Sequence, residues 1–139
     1  MLLDDLGDVL SSASIGVLGT TLFKGMLPST PDACVAILGP YGGLPPVWAM
    51  SPGAASGGRP QVERPRVQVL CRDTRYDSAE QKAVAVRFVL DGLGGVTKNG
   101  IAYKAIFAVQ EPFYLERDAN NREIFAANYE VVRNAATSS

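Results

Sequence analysis

Apolar residues near the start of the chain recur at three- and four-residue steps: Leu2, Leu3, Leu6, Val9 and Leu10. That spacing predicts a short amphipathic helix over 2–12. Asp4, Asp5 and Asp8 fall on its wet face near the N-terminus, where acids oppose the helix dipole. Alternation then takes over in Gly16–Gly25, with Leu18, Thr20, Leu22 and Lys24 set against Gly19, Thr21 and Phe23, and predicts a first strand. Pro28–Asp32 reads as a turn and Cys34–Leu38 as a short buried strand. Residues 39–65 hold Gly-Pro, Pro-Pro and Gly-Gly pairs around Trp48, and predict a long loop.

Alternation returns at 66–72, where Val67, Val69 and Cys71 interleave with Gln68, Leu70 and Arg72. Ser78 and Gln81 have capping-box spacing. Ala79, Ala83, Val86, Leu90 and Leu93 follow at helical steps, with Val84 and Phe88 widening the buried stripe, so 78–93 is the expected central helix. Gly92, Gly94 and Gly95 stop it. Asn99-Gly100 predicts a tight turn with positive φ leading into a strand over 101–110. Phe113–Leu115, a turn at Asp118–Arg122 and a last strand over Glu123–Arg133 complete the pattern, with 134–139 as a frayed tail. The order predicts one α+β domain over 1–133: a mostly antiparallel sheet, a central helix packed on one face and a short N-terminal helix.

Composition narrows the chemistry. Thirteen Lys and Arg against fourteen Asp and Glu give a net charge of −1 over 139 residues. This argues against a dedicated nucleic-acid binder, whose affinity comes largely from neutralising phosphates. The charge is mildly split, with one basic and four acidic residues in 1–58 and twelve basic against ten acidic in 59–139. That balance suits polar contacts with another protein surface. The chain has no histidine, which removes Ser-His-Asp and Cys-His nucleophile designs and histidine-ligated zinc. Cys34 and Cys71 lack metal-ligand or redox spacing and read as small core side chains of a reducing compartment.

The start, Met1–Asp5, has no basic n-region, so no signal peptide is expected. The charge-free stretch between Asp32 and Arg59 is too broken by proline and glycine to span a membrane. Gly92–Gly95 ends a helix instead of opening one, so it is read as a stop signal and not as a phosphate cradle. Asp73, Asp77 and Glu80 sit where acids favour a helix start, and Asp118–Asn121 reads as a turn better than as a calcium loop. No cofactor or metal is expected.

The second half has a recognisable shape. It comprises Val67-Gln68-Val69-Leu70-Cys71-Arg72, Tyr76-Asp77-Ser78-Ala79, the helix closing in Leu90-Asp91-Gly92-Leu93, the Asn-Gly hairpin, the run from Gln110 to Asp118, and Arg122–Val131. These resemble a group of small phage proteins often labelled minor capsid proteins, similar to the tail terminators of long, non-contractile-tailed phages. The match covers 60–133 well and 1–58 only in the order of elements, with a middle loop longer than the family's. The resemblance implies a structural virion protein, not an enzyme, at the head–tail interface. It would form a hexameric ring, assembled in the host cytoplasm, on the tail tube protein and present a face to the head-completion protein. DNA would pass through the lumen without sequence-specific binding. Contacts are then expected from loop 50–65, hairpin 96–105 and turn 117–122, through Arg59, Glu63, Arg64, Lys98, Asn99, Arg117, Asp118 and Arg122. Another head–tail connector component, such as a stopper, and a small-ligand or enzyme domain are the competing readings.

Overall fold

The computed structural model describes residues 2–48 and 60–134. In chain order it contains α1 (Leu2–Ser12), β1 (Leu22–Lys24), β2 (Cys34–Trp48), β3 (Pro60–Asp73), α2 (Tyr76–Leu90), β4 (Val96–Lys98), β5 (Ile101–Ala108), β6 (Phe113–Arg117) and β7 (Glu123–Asn134). All strands join one sheet in the order β1-β2-β3-β7-β5-β4, with β6 also paired to β7. Among the named strands β1–β2 is parallel and the other pairs are antiparallel. The expected α+β class, with a mostly antiparallel sheet and two helices, is the observed one.

Alternation places Val67, Val69 and Cys71 of β3 and Phe125, Ala127, Tyr129 and Val131 of β7 on one face, where they are buried. Both helices cover this face. α1 contributes Leu2, Leu6 and Leu10, and α2 contributes Ala79, Ala83, Val86 and Leu90. The small Ala79 and Ala83 side chains let the helix approach the sheet closely. On the opposite face only a smaller cluster forms, from Leu70, Ile124 and Ala126 with Leu27, Leu38 and Phe113 against them. β5 and β6 lie one after the other along the same edge of β7, separated at 109–112, where Val109 N–H still reaches the Asn128 carbonyl (2.9 Å).

Several expectations are corrected. Residues 39–48 and 60–65 are not loop: they extend β2 and β3 as a paired hairpin, from Tyr41↔Arg66 to Trp48↔Pro60. The glycines and prolines coincide with register shifts after Leu38, Tyr41 and Leu44. Proline cannot donate to a ladder, and bulges are where a strand tolerates it. The tip of the expected loop, 49–59, lies outside the described residues, as does the expected tail beyond Asn134. The first strand shrinks to Leu22–Lys24, because the N–H groups of Thr20, Thr21 and Leu22 all turn back to the Val17 carbonyl.

α2 starts at Tyr76, not Ser78, and its N-cap, Arg75, makes no side-chain cap bond, so the Ser78–Gln81 capping box is not what begins it. Tyr76 instead packs in an aromatic trio with Tyr114 and Phe125, at ring separations of 5.4 and 4.9 Å. The helix ends at Leu90, and Gly92 then donates to the Ile106 carbonyl (2.8 Å). At Gly94 a Cβ would lie 2.6 Å from the Lys104 carbonyl oxygen, so only glycine fits there. Val84 and Phe88 do not widen the buried stripe; they point outward. The Asn99-Gly100 turn is as expected, with φ of 51° and 78°, although β5 stops at Ala108.

Leu6, 1% exposed, and Val84 therefore separate core from surface. Leu6→Ala should cost about 2–5 kcal/mol of unfolding free energy, and Val84→Ala under about 0.5 kcal/mol, as read from denaturant titration of each purified variant.

Candidate functional site

One polar cluster ties the N-terminal helix to the β4–β5 hairpin. Asp5 is buried, against its expected place on the wet face. It accepts hydrogen bonds from Asn99 Nδ2 and from the Tyr103 hydroxyl. Tyr103 in turn accepts from Arg133 Nη1 (3.5 Å), and Arg133 Nε lies 3.4 Å from Glu63 Oε1. Tyr103, Arg133 and Glu63 are cross-strand neighbours on β5, β7 and β3, so they form one row across the sheet. Burial, reinforced by Asp5, pushes the Tyr103 phenol up to about 12. It stays protonated and donates to the carboxylate. The row joins the root of the β2–β3 hairpin to the β4–β5 turn, two of the three segments that sequence marks for contacts.

The third segment, the turn between β6 and β7, is held from inside. Asp118 Oδ1 accepts from the backbone N–H groups of Asn120 and Arg122, both at 2.9 Å, and Oδ2 accepts from Arg122 Nε (2.7 Å). Arg122 Nη1 continues to the Ser29 carbonyl and lies 3.3 Å from Asp32 Oδ1. Arg72 grips the same stretch, donating to the carbonyls of Pro31 (2.6 Å) and Asp32 (3.2 Å). Two buried arginines thus clamp turn 28–32 against β3 and the β6–β7 turn. Burial works against the Asp118 charge, but the Arg122 and Asn120 backbone donors and the Arg122 guanidinium prevail and lower its pKa. Glu123 is held down chiefly by the Tyr114 hydroxyl, with burial opposing and Arg117 assisting at 2.7 Å.

The marked residues therefore differ in what they can present. Arg59 lies outside the described residues. Glu63 and Arg64 are half-buried on β3, where Arg64 stands opposite Leu44. Lys98 is half-buried and Asn99 exposed at the β4–β5 turn. Arg117 is exposed and Asp118 half-buried. Arg122 is buried and turned inward, so its side chain shapes the turn and does not face a partner. Sequence reading missed Asp5 and Arg72, whose partners are distant in the chain, and the outward Phe88, which apolar periodicity assigns to the core.

Neither cysteine thiol is exposed by this arrangement. Cys34 and Cys71 are free and buried, and burial pushes the Cys71 thiol up to about 12. Among the described residues no three His, Cys, Asp or Glu side chains are grouped to hold a metal ion, and no helix is long and apolar enough to cross a membrane. What the arrangement offers is surface: the β2–β3 hairpin, the β4–β5 hairpin and the outer face of α2.

Comparison with known proteins finds a family and a shared fold. The model of a family described as bacteriophage tail terminator protein matches residues 9–134. Among solved structures, a chain from the virion of a native gene transfer agent particle has the same fold, with a TM-score of 0.66 at 14% identity, covering 96% of this chain and 95% of that one. No curated protein sequence matches.

Asp118 makes the turn sensitive to acid. A carboxylate with a lowered native pKa contributes stability that is present above its ordinary value of 3.8 and is lost as pH falls through the native value. Asp118→Asn keeps an acceptor for the two backbone N–H groups and removes the charge. It should lower stability at neutral pH and flatten the acid limb. Unfolding curves between about pH 6 and about pH 2 should show the two proteins converging at the acid end.

Proposed function

The chain belongs to the bacteriophage tail terminator family, and from this we propose that it closes the head-proximal end of a tail tube as a hexameric ring. It is a structural, tail-related component of the virion. In the proposed role the ring stops tube polymerisation by occupying the growing end, and its other face receives the head-completion protein. The work is steric and interfacial, without turnover. The observation that carries the reading is the family match over 9–134, which spans the end of α1, all of α2 and every named strand of the sheet.

The geometry supports it. A ring built by rotation needs two unlike patches on each subunit, and the two borders of this sheet are unlike. At β1 the outward groups of Leu22 are already used: its N–H donates to the Val17 carbonyl (3.0 Å) and its carbonyl accepts from Gly19 (2.9 Å). This turn blocks strand addition there. At the other border lies the short β4 with its projecting turn. The β2–β3 hairpin runs past the end of β7, since Val62 pairs with Asn134 while Trp48 and Pro60 pair further out. We assign the hairpin, with Arg59, Glu63 and Arg64, to contacts with neighbours or with the tube. Lys98, Asn99, Arg117 and Asp118 fall to the remaining contacts. A net charge of −1 suits a lumen through which DNA slides without sequence-specific binding. The site of action is the head–tail interface, and assembly takes place in the host cytoplasm.

The mass of the purified chain, alone and mixed with its tail tube protein, tests this reading. A six-copy species, formed alone or on the tube, and arrest of tube growth are expected. Persistent monomer with unarrested tubes contradicts it. Arg59→Ala, Glu63→Ala and Arg64→Ala combined should weaken assembly or arrest; both unchanged would remove the hairpin from the account.

A further inference from the structure

The sheet has a second face, the one turned away from the helices. Alternation turns Arg64, Arg66 and Gln68 of β3 to it, opposite to the buried Val67 and Val69. Asn128 and Glu130 of β7 stand across from Gln68 and Arg66, and Phe107 of β5 stands across from Glu130. Lys104 follows the helix-side Tyr103 along β5, so it turns to the same face, and it is exposed. The half of this face nearest the β6–β7 turn holds the cluster of Leu70, Ile124 and Ala126, with Leu27 packed on it. Among the described residues no hydrophobic cluster forms on the half towards the β2–β3 hairpin. There Arg66, Val67, Gln68 and Asn128 line an open hollow of about 430 Å³.

Charge is distributed unevenly across the sheet, although the chain as a whole is close to neutral. On the covered side α1 carries Asp4, Asp5 and Asp8 and no base. The open half of the other face sets Arg64, Arg66 and Lys104 against one acid, Glu130. Glu130 Oε1 lies 3.8 Å from Arg66 Nε with its side chain 18% exposed, while that of Arg66 is 43% exposed. Lys104 forms no ion pair among the described residues. Two residues along a strand cover about 7 Å and two strands across about 10 Å. The three bases therefore span a surface that a DNA duplex, with one charge per ~1.7 Å of axis, meets with several phosphates.

We propose that this open half of the helix-free face is turned to the DNA in the lumen and contacts its phosphates. Arg64, Arg66 and Lys104 supply the charge, and the carboxamides of Gln68 and Asn128 supply neutral donors in the hollow. The inference rests on the ring reading and says which surface of each subunit lines the passage. A polyanion fits this surface better than a protein does. A protein seat has an apolar centre and a polar rim. Here the hollow is lined by Arg66, Gln68 and Asn128, and the exposed aromatic, Phe107, stands to one side on β5. Contacts of this kind read no sequence and let DNA slide past.

The test is binding of short DNA duplexes of two unrelated sequences to the full chain. Fluorescence anisotropy between about 50 and about 200 mM salt reads the affinity, and the mass of each protein and its binding to tail tube protein are measured in parallel. Wild type is compared with Lys104→Gln, Arg66→Gln/Lys104→Gln and Arg75→Gln. Arg75 is exposed at the N-cap of α2, so its substitution matches the charge change of Lys104→Gln at another place. Lys104 lies outside the core, so Lys104→Gln should unfold at the wild-type midpoint. Wild type should bind both duplexes alike. Lys104→Gln should lower the slope of log affinity against log salt by about one for each copy in contact. The double variant should weaken binding at least about tenfold at the lower salt, and Arg75→Gln should change neither quantity. No duplex binding by wild type, or an equal loss in Arg75→Gln, overturns the inference. Variants that bind duplex normally but lose the tail tube protein assign the face to a protein and overturn it likewise. A chain that binds duplex through these residues yet never forms a ring fails the ring reading alone. A ring that forms normally, with duplex binding the same in every variant, fails this inference alone.

Discussion

The β3–β7 ladder is the constraint on which the rest of the molecule depends. It runs from Asp73↔Glu123 to Val62↔Asn134 without a register shift. Because side chains alternate along a strand, one register decides at once which face of both strands goes to the helices. A slip of β7 by one residue would send Tyr129 and Phe125 to the opposite face from Val67 and Val69. β7 also carries β5 and β6 along its other edge, so the β6–β7 turn and the β4–β5 hairpin take their positions from the same ladder. The projecting β2–β3 hairpin does so as well, since β3 is its inner strand.

Two internal polar devices then fix the elements that the ladder alone leaves loose. The Asp5 carboxylate, reached by Asn99 and Tyr103, pins α1 to the β4–β5 turn. Arg72 and Arg122 pin turn 28–32 to the sheet. Both bury charge, which is tolerated only where hydrogen bonds replace water. Their effect is to tie α1, the β4–β5 turn and the 28–32 turn to the sheet through buried polar contacts. That suits the proposed role, because a preorganised contact loses less freedom on assembly.

Much of this was legible locally. Leucine spacing marks α1, alternation marks β7, and Asn99-Gly100 marks its turn, because each signal lies within a few neighbouring residues. What sequence reading missed depends on partners far along the chain. The 39–48 and 60–65 strands look like loop because their glycines and prolines sit at bulges, and β3 is held by β7 some seventy residues on. The start of α2 is set by the packing of Tyr76 on Tyr114 and Phe125, not by Ser78. Phe88 reads as core by hydrophobicity, yet Ala79 and Ala83 form the sheet-facing stripe and leave it outside. Of the contact residues, Arg122 reads as surface from charge, and only Asp118, Ser29 and Asp32 around it reveal that it is internal.

The central claim is that this chain acts by shape at one end of a tail. Electron cryo-microscopy of particles that contain it tests that most directly. The account predicts a single ring of copies where tube meets head, with the sheet and both helices recognisable in each subunit. Copies distributed along the tube, or a junction from which the chain is absent, would contradict it.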